Sequence, residues 1–487
     1  MSPSSPAALY HAIPQVPAAS NSIIGQPDID LDHEEIEPVA VLPSVDTRIR
    51  WIHFVLGCAV LLPWNALITA IPYFLSRLDG SSVQSTFTSY LSITFTAANF
   101  LFLAHATATA KQMIPSRQTM ISLLGLAALN FLLTLSTLIT LSPSIFFAFV
   151  LLNGIVQAAF GSYLQNSVIA VASLFGPAAV QPMLSGQAAV AVVVSAVQVL
   201  SALISVDNSS KSIDGIRISN RSRDAEASSA FIFFGLSTIF LLFSAAAQRW
   251  LVSMPAYYAV AGTLEAGKTR SELGTDDEQR ALVSSGPSQA FSEKQRILRV
   301  AKTNALFEIA VAYVFLVTLT VFPPITASVQ SVNPNIHPLL FTSIHFLVFG
   351  LGDLFGRYIC SFQQLLIWSA KRLLVLSLSR TLFIGLFLLC NIQRPASSPI
   401  PAAPIINSDF LFMLILFAFG LSNGYVSSMC MMSAPSLEHN PRLKGQREDV
   451  DVAATVSQFC LIGGLVLGSI VSFIVRGAVC ACNPFTS

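Results

Sequence analysis

The chain has 487 residues, of which 53% are hydrophobic and only 10% are charged, and its formal net charge is +1. Soluble domains carry about a quarter charged residues, so this composition excludes an ordinary soluble protein. The near-zero net charge gives no reason to expect a nucleic-acid partner. Repeated apolar stretches of about 20 residues predict an all-α polytopic membrane protein, held together by small-residue packing and interhelical hydrogen bonds.

The first 47 residues precede every long apolar stretch. They are rich in Pro, Ser and Ala and become acidic between Asp28 and Glu37, which predicts a disordered cytoplasmic tail at 1–47. The N-terminus has no short, basic leader followed by an apolar core, so we expect the first membrane span to act as the targeting signal.

Hydropathy predicts about eleven membrane helices after the tail. They lie near residues 50–76, 85–107, 117–141, 144–171, 178–205, 229–253, 303–330, 337–361, 372–392, 408–432 and 452–476. A polar segment at 256–302 separates six helices from five. The sequence therefore predicts a six-helix bundle at 48–255 and a five-helix bundle at 303–487, an arrangement suited to rocking about a central site.

The segment 256–302 is predicted to be a largely disordered cytoplasmic linker, with a basic amphipathic helix at its end that Ser292 caps. Lys and Arg are concentrated in the loops of one side, which predicts a cytoplasmic N-terminus and an extracellular or lumenal C-terminus. The loop between the fifth and sixth spans is an exception because it holds four basic residues. Its glycosylation sequons at Asn208 and Asn220 would place it outside the cytosol.

Two opposite charges, Asp353 and Arg357, lie in the middle of the eighth apolar stretch. Their i,i+4 spacing puts them on one face of a helix, about 6 Å apart along its axis. Charges at membrane depth are costly unless they are paired or face a water-filled cavity. The pair predicts either a packing contact between helices or, as we favour, a polar ligand site in a transport path.

Two further side chains have the chemistry to bind a planar, hydrogen-bonding ligand. Trp64 follows Pro63 in the first span, where the proline predicts a kink and the indole offers a flat aromatic face. Gln165 in the fourth span presents an adjacent donor and acceptor, which complement the edge of a nucleobase. The alternatives are an interfacial Trp beside a packing kink and an amide that bonds to a neighbouring helix.

Other polar residues are candidates for a gate or for structural contacts. Arg380 in the ninth span is a buried cation, and Asn423 belongs to a polar stretch in the tenth span. Arg117 begins the third span, whereas Asp449 and Asp451 precede the eleventh, all on the predicted cytoplasmic side. A pair between Arg117 and one of these carboxylates would close the inner mouth, although solvated loop charges are the alternative.

Several kinds of protein are excluded by missing motifs. The sequence has no nucleotide-binding P-loop, no metal-ligand spacing, and no Ser/His/Asp or Cys/His arrangement. We therefore expect no ATP-driven pump, no enzyme, no cofactor and no metal site.

A set of short stretches resembles the equilibrative nucleoside transporter family, in the order found in that family. They are Leu61–Asn65, Ser185–Gln187, Asp353 with Gly356 and Arg357, Arg380 with its following Leu-Cys-Asn, and Ser422–Tyr425. No single stretch is decisive, but the ordered set covers nearly the whole membrane portion. Gly350 and Ile68 depart from the family, which often has Asn and Met there.

The resemblance implies a major-facilitator-like fold with one helix fewer and alternating access without ATP. It also implies that Trp64 and Gln165 contact the base of a nucleoside, whereas Asp353 and Arg357 serve the sugar. We expect passive flux across a plasma membrane or a vacuolar or lysosomal membrane. Proton-coupled nucleoside transport, a carrier of another small polar solute and a non-transporting receptor are the alternatives.

Overall fold

The protein is described here from a computed structural model. It covers residues 46–81, 83–84, 86–110, 113–139, 141–210, 215–262, 265–266, 287–392 and 404–480, with the side chains of 205–210, 215–226, 287–293 and 476–480 excepted. The predicted tail at 1–47, apart from its last two residues, and the middle of the predicted linker lie outside the described residues.

Helices make up most of the described chain, as the composition predicts. They are α1 (Thr47–Thr69), α2 (Ile71–Arg77), α3 (Phe87–Ala108), α4 (Pro115–Ser136), α5 (Pro143–Leu174), α6 (Pro177–Ser210), α7 (Gly215–Ser253), α8 (Pro287–Thr303), α9 (Ala305–Val321), α10 (Pro338–Ile359), α11 (Ala370–Ser379), α12 (Leu382–Leu388), α13 (Asp409–Ser433) and α14 (Val450–Cys480). Many start with Pro at the first turn, where its missing N–H is not needed.

Ten helices of the described residues are long and apolar enough to cross a membrane. The predicted ninth span differs, because it is broken into α11 and α12 at Arg380 and Thr381. These helices have 10 and 7 residues, and neither alone reaches the roughly 20 residues that a bilayer requires. The all-α polytopic prediction is thus confirmed, with ten candidate spans and one broken segment in the part of the chain that the structure describes.

Four further helix boundaries differ from the prediction. α9 stops at Val321 instead of continuing to residue 330, because Pro323 and Pro324 cannot donate the next backbone bonds. α6 and α7 extend by helical turns into the predicted loop between spans five and six. Ser292 lies inside α8, so the prediction that it caps this helix was wrong; the helix begins five residues earlier at Pro287.

Glycines allow α1 and α6 to approach within backbone contact. A Cβ on Gly57 of α1 would collide with the Met183 carbonyl of α6, and one on Gly186 would collide with the Phe54 carbonyl of α1. The Ser185–Gln187 stretch thus has the close-packing role expected of small residues in a membrane bundle.

The crossing of α10 and α13 uses four such glycines. Added Cβ atoms on Gly352 and Gly356 would collide with carbonyls of α13, and those on Gly420 and Gly424 would collide with carbonyls of α10. The i,i+4 spacing on both helices creates a long groove on each. This crossing therefore fixes the register in which α13 presents its side chains to α10.

The helices before residue 256 pack mainly with one another, as do those after residue 287. The two sets meet where α6 contacts α10 and where α14 contacts α3 and α5. Residues near the start of α6 contact the end of α10, so this seam lies toward the end of the bundle at which α1 begins. We call that end the N-side face.

Candidate functional site

Asp353 and Arg357 form the predicted pair in the interior of the bundle. Arg357 Nε donates to Asp353 Oδ2 at 2.9 Å, and the residues are 8% and 7% exposed, with Asp353 the more exposed. α10 brings them together because its i,i+4 residues share a face. The pairing offsets the cost of burying each charge, which an unpartnered ion in a membrane would bear in full.

Asn423 of α13 connects this pair to a second buried cation. Its amide Nδ2 donates to Asp353 Oδ1 at 2.6 Å, and its Oδ1 accepts a hydrogen bond from Thr318 Oγ1 at 2.7 Å. Arg380 Nη2 donates to that Thr318 hydroxyl at 2.8 Å. A single polar network therefore crosses α9, α10, α13 and the break between α11 and α12; Asp353, Arg357, Asn423, Thr318 and Arg380 are called the buried network below.

Arg380 is only 1% exposed and has further partners on α13. Its Nη1 donates to the Phe419 carbonyl at 3.0 Å and to the Ser422 hydroxyl, and its guanidinium lies over the Phe419 ring at 4.5 Å. Cation–π contact and carbonyl bonding together replace the water that the charge has lost. Arg380 is thus partnered by α13 and does not snorkel to the surface.

The buried network also reaches the other helix set. Arg357 Nη1 donates to the Leu184 carbonyl of α6 at 3.1 Å, and Gln181 Nε2 donates to the Arg357 carbonyl at 3.1 Å. Gln181 also donates to Ser185 Oγ at 2.9 Å. The Asp353–Arg357 pair therefore lies at the seam, where a relative movement of the two sets must make or break these bonds.

Trp64 lies in the N-terminal set, within an aromatic group. Its indole stacks on Phe95 of α3 with ring centroids 4.2 Å apart, and it is only partly buried. Pro63 is contained within α1, and Asn65 Nδ2 bonds to the Leu61 carbonyl at 2.9 Å, which stabilises the turn around the proline. One indole face is therefore held by Phe95.

Gln165 is buried in α5, but its amide makes no hydrogen bond to the described residues. The adjacent amide behaves differently, because Asn166 Nδ2 donates to the Ala106 carbonyl at 3.2 Å and its Oδ1 accepts from Thr107. Neighbouring helix residues point in different directions, so Asn166 serves helix packing whereas Gln165 keeps its donor and acceptor uncommitted.

The structure does not join Trp64 or Gln165 to the buried network. Among the described residues, no hydrogen bond or ring contact connects either side chain with Asp353 or Arg357. The aromatic face and the amide belong to one helix set and the charged pair to the other. A ligand that contacted all four would have to lie between the sets.

A second charged group lies at the N-side face. Asp449, just before α14, is held by two arginines of α8: Arg296 Nε at 2.6 Å and Arg299 Nη2 at 3.0 Å. The predicted gate partner Asp451 lines a small cavity together with Glu265 and Gln118. Gln118 directly follows Arg117 in the chain. Asp449 thus engages α8, and a pair between Arg117 and a carboxylate of α14 stays a prediction.

Glu265 belongs to the short described piece of the predicted linker and contacts the N-terminal set. Its Oε1 accepts hydrogen bonds from the Ser116 backbone N–H at 3.0 Å and from the Tyr257 hydroxyl at 2.8 Å. Burial, and then the charge and hydrogen bond of Glu265, raise the pKa of Tyr257, which keeps the phenol a donor. The start of the linker is therefore fastened to α4.

Three other expectations concern sites of modification and metal binding. The side chains of Asn208 and Asn220 lie outside the described residues. Within the described part of the chain, no group of three or more His, Cys, Asp or Glu side chains is placed to hold a metal ion.

Sequence reasoning missed Thr318, Gln181 and the Leu184 carbonyl as partners of the buried network. Gln181 had a signal, since an amide in an apolar helix needs a partner. Thr318 had none, because a lone Thr is common in membrane helices, and a backbone carbonyl has no sequence signal at all.

A membrane bundle whose two helix sets meet at a buried charged network has the architecture of a membrane transporter. The fold is similar to a major facilitator superfamily transporter, FucP, solved in the outward conformation, with a TM-score of 0.51 and 14% identity over 88% of this chain and 93% of that one. The family model described as nucleoside transporter matches residues 151–477. The chain belongs to the nucleoside transporter family.

Curated relatives match over most of their length. The chain is 30% identical to "Equilibrative nucleoside transporter 2" of Rattus norvegicus, covering 87% of this chain and 95% of that protein. It is 26% identical to "Equilibrative nucleoside transporter 1" of Homo sapiens, with coverages of 88% and 96%. It is 25% identical to "Nucleoside transporter FUN26" of Saccharomyces cerevisiae, with coverages of 86% and 82%.

Proposed function

We propose that this protein moves nucleosides across a membrane by alternating access, without ATP and down the nucleoside gradient. The family and the fold support transport of this substrate class. The single observation that carries the proposal is the bonding of Arg357, which connects Asp353 of one helix set to the Leu184 carbonyl of the other. A ligand that competes for Arg357 at this seam would be coupled directly to its opening.

Each proposed site residue has chemistry that suits one part of a nucleoside. Trp64 offers an aromatic face to any base, and the uncommitted amide of Gln165 complements a base edge. The ribose hydroxyls are suited to Asp353 and Arg357, because charge-assisted hydrogen bonds are stronger than neutral ones. We propose that the nucleoside lies between the sets and brings these four side chains together.

Gly350 adds a proposal about substrate range. It faces Val192 of α6 across the seam, 3.5 Å from where its Cβ would be, in a position where the family often has Asn. Without that amide, the site has one hydrogen-bonding side chain fewer, so we expect recognition to depend more on the Asp353–Arg357 pair.

The two helix sets, 48–255 and 303–487, are proposed as the two moving bundles, with 256–302 as a cytoplasmic linker. The N-side face is assigned to the cytoplasm from the distribution of basic residues in the loops. With that orientation, the contacts among α6, α10, α14, α3 and α5 would close the cytoplasmic end. We infer that the structure represents an outward-facing state of a carrier in a plasma or vacuolar membrane.

Passive flux follows from the state of the buried network. Asp353 accepts from Arg357 on one oxygen and from Asn423 on the other, so each oxygen already has a donor within the protein. We therefore propose that Asp353 carries no proton across the membrane and that flux is passive.

Reconstitution in liposomes tests the proposal. Purified protein is assayed for uptake of labelled nucleosides, nucleobases, amino acids and sugars, with Asp353→Asn as the inactive control. We expect saturable nucleoside uptake that stops at equal concentrations on both sides. Uptake of only another solute class would overturn the substrate assignment, and accumulation that a proton ionophore abolishes would overturn the passive mechanism.

A further inference from the structure

Glu308 is a buried carboxyl in α9 that the proposed transport mechanism does not use. It is 5% exposed, and Ser457 of α14 donates to its Oε1 at 2.9 Å. Its second oxygen, Oε2, is buried without a hydrogen-bond partner among the described residues. An ionised carboxylate would require partners on both oxygens and a nearby cation, as Asp353 has.

Among the described residues, the elements packed around Glu308 bring no cation to it. α14 and α13 place the thiols of Cys460 and Cys430 beside it. The carboxylates of Asp449 and Asp451 stand at the start of α14, and Asp449 is held by α8. The basic residues of the other neighbours, α8 and α11, form no ion pair with Glu308; they are Lys294, Arg296, Arg299, Lys302, Lys371 and Arg372.

Glu308 also lies behind the seam and not in it. Ser457 and Phe459 are two positions apart on α14, so they point to nearly opposite faces of the helix. Ser457 faces Glu308, whereas Phe459 stacks on Phe100 of α3 with centroids 5.4 Å apart. α14 therefore separates Glu308 from the other helix set, and a change at Glu308 can reach the seam by moving α14.

The α9–α14 crossing leaves little freedom for adjustment. Added Cβ atoms on Gly464 and Gly468 of α14 would press against the backbone of α9 at Ala312 and Leu316. Contacts of this kind shift between discrete arrangements more readily than they deform. Placing an uncompensated charge one to two turns from this contact therefore disfavours the packing that is observed.

We propose that Glu308 is a proton-binding site that controls the transport rate without driving transport. With the proton on Oε2, the acid is neutral and α14 packs against α9 as observed. When Glu308 releases this proton to water, the remaining carboxylate disfavours that packing and weakens the seam formed by Phe459. Because the group does not contact the proposed nucleoside path, a proton gradient supplies no energy for accumulation.

Infrared spectroscopy tests the proton site independently of transport. The purified protein is titrated across pH, and the band of protonated carboxyl groups is recorded in ordinary and heavy water. We expect one band that titrates in the wild type and is missing from Glu308→Gln. Glu438→Gln is the matched control, because its side chain is 83% exposed. Retention of the band in Glu308→Gln would overturn the proposal.

The control of rate rests on the nucleoside transport proposed above and is measured in liposomes with equal pH on both sides. We expect wild-type uptake to fall by up to about tenfold per pH unit on the alkaline side of its midpoint, the limit for loss of one proton. Glu308→Gln, which is isosteric and neutral, should keep the acid rate at every pH, while Glu438→Gln follows the wild type. An unchanged pH profile in Glu308→Gln overturns the proposal.

Two further measurements distinguish the proposed proton site from a purely structural contact and from a failure of transport. Ser457→Ala removes the hydrogen bond to Glu308 Oε1 and should displace the midpoint of the pH profile, which a purely structural contact would not do. If the wild type transports no nucleoside at any pH, the proposed function fails, whereas the titrating infrared band still decides whether Glu308 binds a proton.

Discussion

Asn423 donates its amide to Asp353 at 2.6 Å, and Gly424, the next residue of α13, lies against the Asp353 carbonyl. The hydrogen bond and the close backbone approach depend on each other, since a side chain at position 424 would hold α13 away from α10. The packing of these two helices therefore sets the geometry in which Asp353 meets its partners.

Removing either charge of the central pair should abolish most transport. Asp353→Asn leaves Arg357 without its carboxylate, and Arg357→Ala also removes the bond to Leu184 across the seam. Breaking a buried pair costs about 3–5 kcal/mol because one charge stays uncompensated. Liposome uptake is measured together with the amount of folded protein, since part of the loss will be in stability. Normal uptake by either variant would contradict the site assignment.

A methyl group at the α10–α13 crossing should be far more harmful than one elsewhere. Gly424→Ala places a Cβ against the Asp353 carbonyl and should lower thermal stability and transport, with overpacking costing about 1–3 kcal/mol or more. The matched control is Gly463→Ala in α14, where nothing lies within 4 Å of the new Cβ. That change should be neutral or stabilise by up to about 1 kcal/mol through helix propensity. Equal melting temperatures for the two variants would contradict this account.

The two proposed base-binding residues should have different effects on different nucleosides. Gln165→Leu should weaken substrates according to the hydrogen bonds of their bases, at about 1–3 kcal/mol for each group left unpaired. Trp64→Ala should weaken all nucleosides similarly, because stacking accepts every base. Competition of unlabelled nucleosides against one labelled substrate gives the comparison. If Gln165→Leu affects all nucleosides equally, the amide does not recognise the base.

Two neighbouring carboxylates at the N-side face should differ in their effect on stability. The Asp449 side chain is 3% exposed and contacts Arg296 and Arg299, whereas the Glu448 side chain is 84% exposed. Asp449→Asn should lower the free energy of unfolding by about 1–3 kcal/mol, and Glu448→Gln by less than about 1 kcal/mol. Thermal melting in detergent at two salt concentrations measures both. A larger loss in the Glu448 variant would show that the buried contacts are unimportant.

The predicted inner gate is tested by exchanging the charges of its two proposed partners. Arg117→Asp and Asp451→Arg should each alter the transport rate, and the double variant should restore it if the two side chains pair during the cycle. Asp449→Arg combined with Arg117→Asp tests the other candidate. We expect no rescue in that second pair, because Asp449 is held by α8.

Much of the fold could be predicted because membrane helices have a strong hydropathy signal. The predicted spans agree closely with α3, α4, α5 and α10, each of which is one unbroken helix. The break at Arg380 was not predicted, since Arg380 was treated as one charge in a continuous helix. The position of the break depends on the hydrogen-bond partners that α13 supplies to Arg380. A hydropathy profile carries no information about such contacts.

The candidate site was predictable in its charges but not in its connections. The spacing of Asp353 and Arg357 was sufficient to predict that they share a helix face. The bond from Arg357 to the Leu184 carbonyl required the three-dimensional arrangement, because any residue supplies a carbonyl. Glu308 was overlooked because it stands only three residues inside α9, where the sequence alone could place it in the polar boundary of the membrane.

The broken segment containing Arg380 has a consequence for synthesis of the chain. Its partners Phe419, Ser422 and Asn423 lie 39, 42 and 43 residues later. When the ribosome has completed α12 but not yet α13, the Arg380 guanidinium can bond to Thr318 but to none of its acceptors on α13. Two short helices around an incompletely bonded cation cannot settle in lipid. Stable insertion of this segment must therefore wait for α13, so the broken segment and α13 enter the bilayer as one assembly step.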